Sequence, residues 1–154
     1  MTAIHALAYV APTAVIGEGT RIGPYAVVGP GVTVGCDNEI AAHAVIDGPG
    51  TTIGDRNYVG SGAVLGGPPQ DKKYGGESTF LVVGSDNYFR EHVTVNRGTG
   101  NGGGTTRVGD HNLLLAGAHV AHDCQVGNRV ILSNNVLLAG HVVVEDLAIM
   151  NGAS

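Results

Sequence analysis

The chain has 154 residues, a net charge of −5, 26 Gly, two Phe and no Trp. That length suits one domain, the acidic balance argues against DNA or RNA as a partner, and so few aromatics leave Val, Ile, Leu and Ala to build the core. Cys36 and Cys124 share no spacing motif, which excludes a disulfide framework or zinc knuckle and fits reduced thiols in a cytoplasmic setting.

In chain order, the opening stretch "MTAIHALAYVAPTAVIG" lacks a basic leader, and no apolar run is long enough for a membrane span. The stretch instead starts a repeat. Ile4, Val10, Ile16, Ile22, Val28, Val34, Ile40 and Ile46 fall on every sixth position. Gly often follows the aliphatic, as at Gly17, Gly23, Gly29 and Gly35, and a small residue comes four places on, as at Ala8, Ala14, Thr20, Ala26 and Ala44. After one extra residue, Ile53, Val59 and Leu65 resume the frame. A period of six suits neither an amphipathic helix nor a long alternating strand. It suits short strands joined by regular turns, three hexads to a triangular coil, with coils stacked about 4.8 Å apart. The expected fold is all-β, a parallel β-helix of hexapeptide repeats. A β-sandwich would need the spacing to be a coincidence.

Two inserted loops interrupt the coil. The first is "GGPPQDKKYGGESTFLV", residues 66–82; the pattern returns at Val83, Phe89 and Val95. The second is "NRGTGNGGGTTR", residues 96–107. Five of the eight basic residues (Lys72, Lys73, Arg90, Arg97 and Arg107) lie in or between them, which points to an anionic ligand or to solvated loop charge. The run "GTGNGGG" lacks the Lys-Ser/Thr of a phosphate loop and reads as flexible backbone.

From Val108 the period runs unbroken through Leu114, Val120, Val126, Leu132, Leu138 and Val144 to Met150. Val120 and Leu138 are one coil apart and should stack. His122 then lies beside Gly140, with His141 one residue further on and Asp123 next in sequence. Cys124 takes a small inward position. His5, His43, His92 and His111 read as surface residues. An imidazole supplies a base near neutral pH, and a backbone N–H at glycine can approach a developing oxyanion. His122 and Gly140 therefore suit acyl transfer. A competing reading makes His119, His122 and His141 zinc ligands, but His119 and His122 straddle a hexad boundary, so their side chains need not converge.

"QDKKYGGE" (70–77), "VTVNRGTGNGGG" (93–104), "NLLLAGAHVAHDCQVGN" (112–128) and "LAGHVVVED" (138–146) together resemble the UDP-N-acetylglucosamine O-acyltransferases of lipid A biosynthesis, in order and over the whole chain. The resemblance implies a left-handed β-helix that forms a homotrimer, with active sites between subunits. It implies transfer of a 3-hydroxyacyl group from acyl carrier protein to the glucosamine 3-hydroxyl of UDP-N-acetylglucosamine, with no cofactor and no metal. It makes His122 the base, Gly140 the oxyanion donor and Asp123 the base's acidic neighbour. Gln70, Asp71, Lys73, His119 and His141 become substrate contacts. At Asn96, where many members have His, it implies an altered nucleotide-side contact. Family members continue past Ser154 into further coils and a C-terminal helical domain, so the resemblance makes this chain an N-terminal part. Two alternatives remain: another hexapeptide acyltransferase, against which the "QDKKYGGE" loop argues, and a non-catalytic trimerisation module.

Overall fold

One side of six residues holds a short strand and a corner, with too little apolar surface to be stable alone. Stability has to come from the coils above and below. The structure, a computed structural model that describes residues 1–153, has three parallel sheets of eight, seven and seven strands. Most strands are two residues long. The first sheet starts with Ala3–Ile4, the second with Tyr9–Val10 and the third with Val15–Ile16, and the chain visits them in rotation. In regular coils a strand pairs with the one 18 residues on, as Ile4 does with Ile22 and Val120 with Leu138. No α-helix occurs among the described residues, and no helix there is long and apolar enough to cross a membrane. The coil is a left-handed parallel β-helix, opposite in hand to the usual β-crossover.

The sixth-position aliphatics are the core. In the second sheet Val28, Ile46, Leu65, Val95, Val120 and Leu138 stack in register, none more than 3% exposed. Each such burial contributes about 1.5–3 kcal/mol before entropy is counted. Ala26, Ala44, Ala63 and Ala118 are buried beside them. The glycine after the aliphatic answers a close approach: a Cβ on Gly17 would overlap the backbone of Gly35 on the next coil.

Where the third sheet turns into the first, the small residue gives way to asparagine. Asn38, Asn57, Asn87 and Asn112 are all buried. The Oδ1 of each accepts the backbone N–H of the residue above: Asn57 N–H on Asn38 at 2.8 Å, Asn87 N–H on Asn57 at 2.9 Å, Asn112 N–H on Asn87 at 2.8 Å and Val130 N–H on Asn112 at 2.8 Å. These side chains satisfy corner amides that the sheets leave unpaired.

Departures from 18 are taken up at the corner between the second and third sheets. Val45 pairs with Val64, 19 residues on, and Gly48 and Gly50 turn that corner at φ of 88° and 83°. Val64 pairs with Thr94, 30 residues on, and Thr94 with His119, 25 on. Strands extend into both inserted segments. Phe80–Val83 and Thr105–Val108 pair along their full length, so the second and third sheets are at their widest where the insertions leave.

Candidate active site

The second-to-third-sheet corner of four successive coils carries the first insertion, the second insertion, His122–Asp123 and Gly140–His141. The corner takes Asp123 and His141 into the left-handed region, at φ of 61° and 66°. Asp123 tolerates that backbone better than most residues, and its N–H is held by Thr106 Oγ1 at 2.8 Å.

His122 Nδ1 lies 2.8 Å from Asp123 Oδ2, the imidazole 13% and the carboxylate 1% exposed. An ionised carboxylate only accepts, so Nδ1 carries a proton, and in the neutral ring Nε2 keeps a free lone pair. Gly140 sits against that second edge of the ring. A Cβ there would come within 2.5 Å of His122 Cε1 and 2.7 Å of Nε2. Among the described residues nothing accepts the Gly140 N–H, so that donor is free. His141 N–H donates to the His122 carbonyl at 3.0 Å, and its exposed ring meets the His122 ring edge-on, centroids 5.1 Å apart.

The Asp123 carboxylate has two further donors, both from Thr99. Thr99 N–H reaches Oδ1 at 2.9 Å and Thr99 Oγ1–H reaches Oδ2 at 2.6 Å, beside the His122 contact. Burial pushes the carboxyl pKa up; the Thr99 hydroxyl and N–H, then His122, outweigh it and hold the group below the ordinary carboxylate range. His119 is shifted down, first by burial and then by the neighbouring His122, and its Nδ1 lies 2.7 Å from Thr94 Oγ1.

The other expected site residues are distributed as follows. Asn96 is 6% exposed, and its Oδ1 has no partner among the described residues. Gln70 and Lys73 are exposed and Asp71 half-buried; Asp71 Oδ1 accepts the Lys73 N–H at 2.9 Å. Among the described residues no hydrogen bond or ion pair joins these three to His122. Of the clustered basic residues, Arg90 pairs with Glu91 at 3.2 Å, and Arg97 donates to the Gly66 carbonyl at 2.5 Å and to Tyr74 Oη at 3.3 Å.

Two features of the sequence take a more definite form. The run Gly98–Gly104 is not featureless: it contains a 3₁₀ turn at Gly100–Gly102. Gly98 and Gly102 lie so close to the Asp123 carboxylate that side chains there would collide with it. The histidine triad also differs from the set imagined for a metal. The donor atoms that converge, within 4.8 Å of one another, belong to His122, Asp123 and His141, while His119 is held on Thr94. Asp123 Oδ2 in that set already accepts from Thr99 and His122. Thr99, Thr106 and Glu77 escaped sequence reasoning altogether. All three lie in the segments read as insertions, 66–82 and 96–107, to which no period is applied.

Fold and corner together define a hexapeptide-repeat protein, and the bacterial transferase hexapeptide family (six repeats) matches at residues 13–48 and 105–140. Over nearly its whole length the chain is similar in sequence and structure to solved UDP-N-acetylglucosamine O-acyltransferases. It is 44% identical to LpxA of Acinetobacter baumannii (TM-score 0.95, covering 97% of this chain and 57% of that one). It is 43% identical to LpxA, a UDP-N-acetylglucosamine acyltransferase, of Bacteroides fragilis (TM-score 0.91, 94% and 56%). It is 39% identical to the UDP-N-acetylglucosamine O-acyltransferase of Moraxella catarrhalis (TM-score 0.94, 97% and 58%). The chain thus spans under three-fifths of the length of these relatives.

Proposed function

We propose that this chain carries the chemical centre of an acyltransferase that moves a 3-hydroxyacyl group from acyl carrier protein to the glucosamine 3-hydroxyl of UDP-N-acetylglucosamine, the first step of lipid A synthesis. His122 Nε2 takes the hydroxyl proton as the oxygen attacks the thioester carbon. The Gly140 N–H donates to the oxyanion of the tetrahedral intermediate. As the intermediate collapses, the C–S bond breaks and the proton passes from His122 to the departing thiolate. Asp123 keeps the imidazole in the Nδ1–H tautomer and stabilises the imidazolium. Gln70, Asp71, Lys73, Asn96, His119 and His141 contact substrate. No metal or other cofactor enters these steps.

The observation that carries this reading is the His122 ring fixed on one edge by Asp123 at 2.8 Å and flanked on the other by the bare backbone of Gly140. The similarity to named acyltransferases supports the substrates. Asp71 and Lys73 make no hydrogen bond or ion pair with His122 among the described residues, which agrees with a homotrimer in which they serve a neighbour's centre. A cytoplasmic location follows from an acyl carrier protein donor. The test is His122→Ala: acylated sugar nucleotide, followed by mass spectrometry, should fall by about a thousandfold or more. Equal turnover with and without the imidazole would refute the catalytic reading and leave the coil a scaffold or trimerisation module.

A further inference from the structure

The second insertion places one side chain where it can govern the base without touching substrate. Thr99 is 3% exposed and gives both its donors to one carboxylate, the N–H to Asp123 Oδ1 at 2.9 Å and the hydroxyl to Oδ2 at 2.6 Å. Oδ2 is also the oxygen that receives His122 Nδ1–H. We infer that Thr99 is a positioning residue for the reaction proposed above: by clamping Asp123 it fixes the plane of the carboxylate, and through it the tautomer and aim of His122.

The rest of the insertion is shaped to deliver this contact. Asp123 stands on a corner at φ 61°, with its N–H tied to Thr106 and its carboxylate turned under the overlying loop. Gly98 and Gly102 leave room for the loop to lie on that carboxylate. The next residue, Gly100, donates its N–H to Glu77 Oε1 at 2.9 Å, and Glu77 Oε2 accepts the Gly75 N–H at 2.8 Å. The first insertion, which carries Asp71 and Lys73, is thereby fastened to the residue beside Thr99. Without the threonine hydroxyl, the N–H of residue 99 would still hold Oδ1, but Oδ2 would keep only His122 and the carboxylate plane could tilt about the one remaining bond.

The test compares Thr99→Val, which keeps the β-branched shape and removes the O–H, with Thr99→Ser, which restores it. Two readouts apply to the intact protein. In ¹⁵N-edited NMR, wild type and Thr99→Ser should show His122 as a single Nδ1–H tautomer with a slowly exchanging ring proton; Thr99→Val should lose it. In acyl transfer, Thr99→Val should lower kcat roughly ten- to a hundredfold with little change in KM for the sugar nucleotide. The acid limb of its pH profile should also move to lower pH, because an Asp123 no longer aligned on Nδ1 stabilises the imidazolium less and the base is protonated only in stronger acid. A loss of rate equal at every pH, an unchanged tautomer, or failure of serine to rescue would overturn the inference. The NMR readout decides it even if His122→Ala retains full activity and the acyltransfer reading falls.

Discussion

Gly140→Ala is the sharpest test of the corner, because it adds one carbon and removes no donor. The new Cβ would lie 2.5 Å from His122 Cε1 and 2.7 Å from Nε2, where ordinary contact begins at 3.4 Å. The ring must therefore yield by about 0.9 Å. It cannot do so freely, since Nδ1 is held at 2.8 Å on Asp123, which is itself held by Thr99. A displacement of about 1 Å at the reacting atoms costs on the order of a hundredfold in rate, or about 2.7 kcal/mol of barrier. The backbone has no quarrel with alanine, since Gly140 is not among the residues at positive φ, so thermal stability should change little. The assay is steady-state acyl transfer beside a thermal melt of the same preparation. A variant with wild-type kcat, or one whose activity falls only as far as its melting temperature explains, would refute the close packing of ring on backbone.

Asn87→Ala removes an inner rung of the four-asparagine ladder. It leaves the buried Asn112 N–H without its acceptor and frees Asn57 Oδ1 and the Gly109 carbonyl of a donor. An unsatisfied buried group costs about 1–3 kcal/mol, so urea unfolding should show a loss of at least about 2 kcal/mol, with the parallel strands intact by circular dichroism. Acid stability should depend on Asp123, whose folded pKa lies below the ordinary carboxylate value. Its contribution is present above the unfolded carboxylate pKa and is lost as pH falls through the depressed folded one. Asp123→Asn should therefore flatten the fall in stability on the acid side of the ordinary carboxylate range while destabilising the protein near neutrality, as read by denaturant titrations at stepped pH.

The coil was legible because every side repeats one decision. Val120 and Leu138, Ala26 and Ala44, and Gly17 and Gly35 each stand one coil apart in sequence and against one another in space. The same arithmetic set His122 beside Gly140. It failed where residues are placed by chain segments outside the period. Thr99 reaches Asp123 through a turn that no hexad phase predicts, and two of the glycines around it, Gly98 and Gly102, seen as slack, are what allow the approach. The ladder asparagines went unread in the sequence, because their meaning lies in corner amides that only a three-dimensional count exposes. Asn96 sits where the frame gives out, and its unpaired Oδ1 belongs to no ladder.

The corner that absorbs the 19-, 30- and 25-residue steps makes length a local matter. Residues added there swell outward and leave the stacking on either side untouched, whereas a single residue gained or lost within a strand would throw every later side chain one place out of phase. Variation in such a chain is thus channelled to one edge of the prism, and that edge is where the imidazole stands. New loops can be tried over the reactive groups without the walls having to be rebuilt.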